Sequence, residues 1–183
     1  MSVEAKKAGS RPVHHLTDEL LVDYAAGALG EAESLVIATH LALCPACRSA
    51  LAATEELGGA LLEGLAPADL APGCLESVLA RLEGEAPAKP AIERQPPSGQ
   101  PILVPEPLRG YLRVDLDTVP WKRLLPGLDV FEIETGGDGH KTRLLRVRAG
   151  TPMPEHTHRG AELTVVLTGG YSDDRGHFVR GDI

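Results

Sequence analysis

The chain lacks the features of a membrane or secreted protein. It has no run of about 18 apolar residues that could span a bilayer. Its first ten residues, MSVEAKKAGS, contain no apolar core of the kind found in a secretory signal. Only three cysteines occur in 183 residues, which is typical of a reducing compartment and not of a disulfide scaffold. These absences predict a cytoplasmic protein with no membrane partner.

Basic residues are scarce in one part of the chain. Between His14 and Glu83 there are eleven acidic residues and only Arg48 and Arg81 as basic ones, a net charge of −9, whereas the whole chain carries −8. An acidic surface repels phosphate backbones, so we expect no direct nucleic-acid binding and instead a basic protein partner. The alternative is a solvated acidic face without a partner, which is common on soluble helical proteins.

Four helices are predicted in this acidic part. Thr17 is suited to cap the first helix, and Pro45 is suited to the first turn of the third. Cys74, at the start of the fourth helix, is expected to be a small packing residue. The predicted helices cover residues 16–29, 31–43, 45–63 and 73–82, forming a small domain over residues 14–83 that follows a disordered tail, residues 1–13.

The character of the sequence changes after the last predicted helix. Residues 84–107 contain seven prolines in 24 positions and are expected to form a linker. Beyond them, short β-type runs separated by Gly and Pro predict an all-β domain over residues 108–183. The fold class is therefore α+β with two domains. The predicted strands are residues 130–135, 142–147, 163–168 and 177–179.

The most informative motif is His40-Leu-Ala-Leu-Cys44-Pro-Ala-Cys47. On a helix His40 and Cys44 share a face, and the following turn returns Cys47 toward the same point, as a tetrahedral zinc ion requires. His14 and His15 are the candidates for the fourth ligand, and we favour His15 because it lies nearer the first helix. The alternatives are a redox Cys-x-x-Cys pair, or two unrelated thiols beside a helical histidine. Redox pairs usually occur on a βαβ scaffold, which this region lacks.

A second constellation lies in the β half. His156 and His158 alternate along an extended segment and point the same way, and Glu162 can complete one face of a metal site. Two histidines and a carboxylate suit zinc, manganese or iron. Surface histidines without a metal are the alternative, but Gly150 and Gly169 flank the group at regular distances and favour a site.

Both constellations resemble known families. The helical motif is similar to the zinc anti-sigma domain, His-x3-Cys-x2-Cys with a further histidine upstream, at His15, His40, Cys44 and Cys47. The β half resembles the first motif of the cupin superfamily at positions 150, 156, 158, 162 and 169, and positions 181 and 182 look like the opening of its second motif. Joined by a linker, the two parts resemble the ChrR-type anti-sigma factors.

This resemblance implies a regulator and not an enzyme. A structural zinc would hold the helical domain, which would sequester an extracytoplasmic-function sigma factor and repress its transcription. The cupin-like domain would respond to an oxidative signal such as singlet oxygen or organic hydroperoxide. Because the sequence ends at Ile183, before the last histidine of the second cupin motif, we expect a truncated barrel whose metal site lacks its fourth ligand.

Two other functions remain as alternatives. The first is a metal-dependent cupin enzyme that uses His156, His158 and Glu162 around iron or manganese, and it would need an intact fourth ligand. The second is a redox switch in which Cys44 and Cys47 oxidise and release zinc. It differs from a structural site because it requires metal loss on activation.

Overall fold

The structure is a computed structural model that describes residues 11–83, 104–112, 114, 116–136, 139–152 and 160–183. The helices within these ranges are α1 Asp18–Ala25, α2 Glu31–Leu43, α3 Pro45–Glu63, α4 Cys74–Glu83 and α5 Glu106–Leu112. The strands are β1 Lys122–Leu125, β2 Leu128–Ile133, β3 Thr142–Val147, β4 Gly170–Asp173 and β5 Gly176–Val179.

The four predicted N-terminal helices are present, and local signals explain their limits. Thr17 caps α1 by accepting the Leu20 N–H at 3.4 Å. The helix ends at Ala25, earlier than predicted, because Gly27 takes a left-handed conformation with φ of 67°. Pro45 opens α3 as expected. The predicted packing role of Cys74 is wrong, since its side chain is exposed.

The first half of the helical region encloses a small core. Ile37 and Leu41 of α2 are buried against Leu21 of α1 and the thiols of Cys44 and Cys47. Burying an aliphatic side chain of this size stabilises the folded state by about 1.5–3 kcal/mol. Among the described residues no single helix is long and apolar enough to cross a membrane; α2 and α3 meet that criterion only as a pair, bent by 117°.

The β half contains two antiparallel sheets. The strands β1, β2 and β3 follow one another in a three-stranded sheet, and β4 pairs with β5 in a hairpin. In the parts of the chain that the structure describes, these sheets do not close into a barrel. The sequence predicts only strands here, but α5 opens this half because Leu108 and Leu112, one turn apart, bury against the sheet.

The predicted strand over residues 163–168 is wrong. This segment has β-branched residues but no regular strand structure. Among the described residues, only Val166 of this segment exchanges backbone hydrogen bonds of this kind: its N–H donates to the Asp182 carbonyl at 3.0 Å, and its own carbonyl accepts the Gly181 N–H at 2.8 Å. A strand needs a partner along its length, and sequence preference alone does not supply one.

A second core joins the two halves. Leu35 of α2 is buried with Val104, near the end of the proline-rich segment, and with Leu108, Ile133 and Leu144, which follow that segment. The two halves are therefore separated in sequence by residues 84–107 but are in contact in space. Glu31 adds a polar link, since it accepts hydrogen bonds from the Tyr111 hydroxyl at 2.6 Å and from the Gly136 N–H.

Candidate zinc centre

The junction of α2 and α3 places three candidate ligands together. His40 and Cys44 are one turn apart at the end of α2, where the Cys44 N–H donates to the His40 carbonyl at 2.8 Å. Cys44 also caps α3, because its Sγ accepts the Cys47 N–H at 3.5 Å. The bend of 117° between the two helices brings Cys47 back toward His40.

His15 completes the group from the segment that precedes α1. Its Nδ1 lies 3.3 Å from Cys44 Sγ and 3.6 Å from Cys47 Sγ. Together with His40, all four ligand atoms lie within 4.8 Å of one another. A tetrahedral zinc ion with ordinary Zn–S and Zn–N bonds would separate its ligand atoms by roughly 3.3–3.8 Å. The spacing of this cluster therefore fits zinc.

The state of His40 supplies an independent test of this fit. The side chain is fully buried, and its Nδ1 lies 2.6 Å from the Gly181 carbonyl. Nδ1 must therefore carry the proton, and Nε2 has a buried lone pair without a hydrogen-bond partner among the described residues. Leaving such a group unsatisfied costs about 1–3 kcal/mol. A zinc ion would satisfy it, in the arrangement that metal-bound histidines commonly adopt.

Protonation of the cluster also suits a zinc site. Burial is the main cause that lowers the pKa of His40, although its hydrogen bond to Gly181 opposes the shift, so the ring is neutral at pH 7 and able to bind a metal. Burial likewise raises the pKa of the Cys47 thiol, with the nearby Cys44 adding to it and the Leu16 N–H opposing it. Zinc must therefore displace a proton from Cys47 when it binds.

His14, the other candidate for the upstream ligand, has a different environment. Its ring stacks on Phe178 with centroids 4.0 Å apart, and its Nδ1 lies 3.2 Å from Asp182 Oδ2. Of the two adjacent histidines, the structure brings His15 to the thiols and places His14 against the β half.

The second predicted site can be described only in part. His156 and His158 lie outside the described residues. Glu162 is exposed and lines a surface cavity of about 270 Å³ together with Tyr171 and Phe178. In the described part of the chain, His15, His40, Cys44 and Cys47 form the group whose ligand atoms converge. A metal at His156, His158 and Glu162 stays a prediction.

Gly181, which contacts His40, and Asp182, which contacts the segment before His15, have no metal-site signal in the sequence. Gly181 accepts the His40 Nδ1–H, and these two residues are 141 positions apart. Asp182 is fully buried, and burial opposes its ionisation. Hydrogen bonds from the N–H groups of Val179, His14 and Val13 outweigh that effect and lower the pKa of Asp182. Sequence patterns single out both residues only as the opening of a cupin motif.

Family models match both halves of the chain. The model described as "Putative zinc-finger" matches residues 16–48, and the "ChrR Cupin-like domain" matches residues 110–183. The zinc-finger match covers His40, Cys44 and Cys47 and ends just after them. The fold and the site together thus define a zinc-finger protein with a cupin-like domain.

Comparison with whole proteins gives the same result. The chain is 42% identical over 174 residues to the anti-sigma-E factor ChrR of Cereibacter sphaeroides, a match that covers 93% of this chain and 77% of that protein. Among solved structures, the crystal structure of Rhodobacter sphaeroides SigE in complex with the anti-sigma ChrR matches with a TM-score of 0.79 and 41% identity, over 93% of this chain and 85% of that one. The chain belongs to the ChrR family of anti-sigma factors. This membership indicates a regulatory role.

Proposed function

We propose that the protein is an anti-sigma factor whose helical half binds an extracytoplasmic-function sigma factor and blocks its engagement with RNA polymerase. The relative ChrR is named an anti-sigma-E factor, and its solved structure is a complex with SigE. The observation in this chain that carries the proposal is a large apolar surface in the helical half that no described part of the chain covers.

This surface is formed by the end of α3 and by α4. Every residue from Glu55 to Glu83 is exposed. On α4, Leu75, Val78, Leu79 and Leu82 recur at helical spacing and retain 61%, 45%, 49% and 76% exposure. An exposed apolar stripe along one helix is typical of an interaction surface on a soluble protein. Leu57, Leu61 and Leu62 at the end of α3, and Leu65 just after it, are exposed as well.

Charges around the surface indicate the chemistry of the partner. Glu55, Glu56, Glu63, Glu76 and Glu83 lie on the same two helices. This acidic border favours a basic protein surface and disfavours DNA, because like charges repel phosphate groups. A DNA-binding sigma factor presents basic surfaces of the required sign, so the same acidic groups would compete with promoter DNA for it.

Zinc has a structural role in this proposal. His15, His40, Cys44 and Cys47 form a complete tetrahedral set that leaves no open position for a substrate. A structural zinc contributes on the order of 10 kcal/mol to the folding of a domain of this size. Because Cys44 and Cys47 begin α3, the metal would also fix the direction in which that helix leaves the core.

The alternatives have less support. A thiol switch needs accessible sulfur, but Cys44 and Cys47 are only 1% and 3% exposed. A cupin enzyme has less support because the relative ChrR, 42% identical to this chain, is named an anti-sigma factor. We propose instead that the β half adjusts the response to an oxidant such as singlet oxygen or organic hydroperoxide, through a zinc, manganese or iron ion at His156, His158 and Glu162. Its support is the cupin-like family match over residues 110–183.

Capture of the sigma factor from host lysate tests the main proposal. The tagged chain is compared with Leu79→Arg, which places a charge in the apolar surface, and with Leu124→Arg, a control on the exposed strand β1. Mass spectrometry identifies the sigma factor, and titration with the purified partner gives Kd. We expect Leu79→Arg to raise Kd by about 100-fold, the effect of losing a central anchor, while the control binds like the parent chain. Unchanged binding by Leu79→Arg would exclude this surface.

A further inference from the structure

A turn of the β half lies against the zinc centre. The turn covers residues 179–182, directly after β5, and its Gly181 carbonyl accepts the Nδ1–H of His40 at 2.6 Å. This contact sets the tautomer and the ring orientation of one candidate zinc ligand. It comes from the opposite half of the molecule, so the zinc centre is not built by the helical half alone.

The same turn also holds the segment that carries the other histidine ligand. Asp182 Oδ1 accepts the N–H groups of Val13 and His14 at 2.7 and 3.0 Å, immediately before His15 in the chain. Asp182 Oδ2 accepts the Val179 N–H at 2.8 Å. One buried carboxylate thus binds both the turn and the segment that leads to His15. A charged, fully buried acceptor of several N–H groups is costly to replace.

Close packing leaves little freedom for this turn to move. Gly181 has a φ of 92°, and a Cβ added there would lie 2.6 Å from Pro12 Cγ and 3.3 Å from Leu43 Cβ. The turn is therefore wedged between the N-terminal segment and the end of α2. Its other side is tied to the β half by the two backbone hydrogen bonds with Val166.

We infer that the turn at residues 179–182 is a positioning element of the zinc centre, in which Gly181 orients His40 and Asp182 holds the segment of His15. The inference rests on the proposed zinc centre. Coupling between two sites is reciprocal, so zinc binding must stabilise the turn as much as the turn favours zinc. A structural change in the β half then reaches the metal through this contact.

The first test compares two glycine variants of the full chain. Gly181→Ala and Gly169→Ala both place a side chain at positive φ, but the added Cβ meets neighbours only at Gly181. Zinc release to an excess of a chelating dye is followed by absorbance. We expect release from Gly181→Ala to be about 10–100-fold faster than from the parent, the usual effect of losing a partner of a metal ligand, and release from Gly169→Ala to stay within about 2-fold. Equal rates for the two variants would overturn the inference.

A milder pair of variants keeps the inference testable if Gly181→Ala does not fold. Asp182→Asn replaces one of the two acceptor oxygens by an NH₂ group, and Asp173→Asn removes a carboxylate of the same hairpin that contacts the nearby Arg175. Fluorescence of Trp121, which packs in the core shared by the two halves, reports whether the fold is kept. We expect Asp182→Asn alone to release zinc faster, by about 10-fold. A folded Asp182→Asn protein with parental zinc release would contradict the inference.

Amide hydrogen exchange tests the reciprocal effect without any substitution. In the full chain, zinc removal should speed exchange in a peptide covering residues 176–183 more than in one covering residues 142–147, which forms β3 away from the turn. A chain that binds no zinc refutes the proposed zinc centre itself. A chain that binds zinc, with equal exchange changes in both peptides and no effect of the variants, refutes only the role of the turn.

Discussion

His40 has two constraints, one on each ring nitrogen. Nδ1 donates to Gly181, and Nε2 is buried beside two thiols without a hydrogen-bond partner in the described part of the chain. A metal ion at the second nitrogen would remove the cost of about 1–3 kcal/mol that an unsatisfied buried acceptor carries. The proposed zinc ion at this point would explain why a histidine and two cysteines occupy core positions that leucine could fill.

Removing a ligand should therefore release zinc and unfold the helical half. His40→Ala and Cys44→Ser each leave an incomplete tetrahedral set, and we expect loss of bound zinc together with loss of helical signal. Cys74→Ser is the matched control because Cys74 is exposed and distant from the ligand set. Zinc analysis and circular dichroism make the comparison. Normal zinc content with an unchanged fold in both ligand variants would disprove the site.

The two adjacent histidines should differ in their effect. His15→Ala removes a ligand atom that lies 3.3 Å from Cys44 Sγ, so it should abolish tight zinc binding. His14→Ala removes only the stacking on Phe178 and the contact with Asp182, so its effect should be much smaller. Zinc titration of the two variants measures the difference. If His14→Ala has the larger effect, the upstream ligand must be reassigned.

Zinc affinity should fall as the pH decreases. Burial raises the pKa of Cys47, so its thiol is protonated near neutral pH and must lose the proton to bind zinc. His40 contributes little to this dependence above pH 6.5, because burial lowers its pKa below that ordinary value. We expect the apparent affinity to change by about one to two powers of ten per pH unit between roughly pH 8 and 6. Competition titrations with a chelator measure it; a pH-independent affinity would argue against thiolate ligands.

At the scale of elements, α4 is a helix without an intramolecular partner in the described structure. It contains no buried residue, although Leu75, Val78, Leu79 and Leu82 form an apolar stripe. Isolated helices of this length are marginal in water. A partner that covers the stripe would supply the missing burial, so we expect α4 to be more ordered in the sigma-factor complex than in the free chain.

Association with the sigma factor should be slower at high salt. The helical half carries −9 between His14 and Glu83, which attracts a basic partner over a distance that salt screens. We expect the association rate constant to fall by about tenfold between roughly 0.05 and 0.5 M salt, whereas the apolar contacts keep the dissociation rate nearly constant. Stopped-flow mixing resolves both rates. An association rate that does not depend on ionic strength would rule out electrostatic steering.

At the scale of the whole molecule, the two halves share a core and a turn. A fragment of residues 1–83 would expose Leu35 and free His40 Nδ1 from Gly181. Exposure of Leu35 costs about 1.5–3 kcal/mol and loss of the Gly181 contact about 1–3 kcal/mol more. Together these costs are smaller than the roughly 10 kcal/mol that zinc contributes, so the fragment should still fold when zinc is bound. The proline-rich residues 84–107 and the all-helical apolar surface suggest that binding does not require the β half.

We therefore expect the zinc-loaded fragment to repress transcription in vitro, with a lower unfolding temperature than the full chain. Residues 108–183 should only adjust the response to oxidants. Repression by both proteins is measured at matched concentration, and circular dichroism shows that the fragment is folded. A folded fragment that fails to repress, beside a full chain that succeeds, would mean that inhibition needs the β half.

The helices and the main zinc motif could be predicted from the sequence because their signals are local. Thr17 and Pro45 act within one turn of their own position, and His40, Cys44 and Cys47 converge through helix geometry and a single bend. Contacts between residues three or four positions apart can be predicted from the sequence, because the helix geometry fixes them. The structure accordingly has α2 and α3 with the limits that the sequence predicts.

Only the tertiary structure decided what depends on distant partners. Residues 163–168 have the composition of a strand, yet within the described part of the chain only Val166 has backbone partners of the expected kind, at Gly181 and Asp182. Leu35 of α2 and Leu79 of α4 both belong to an apolar pattern on a helix. Leu79 is exposed, whereas residues of the β half bury Leu35. The contact of Gly181 with His40 joins residues 141 positions apart. Sequence periodicity cannot predict a contact over such a distance along the chain. The free energy of these contacts depends on how separate elements pack and not on local backbone preference.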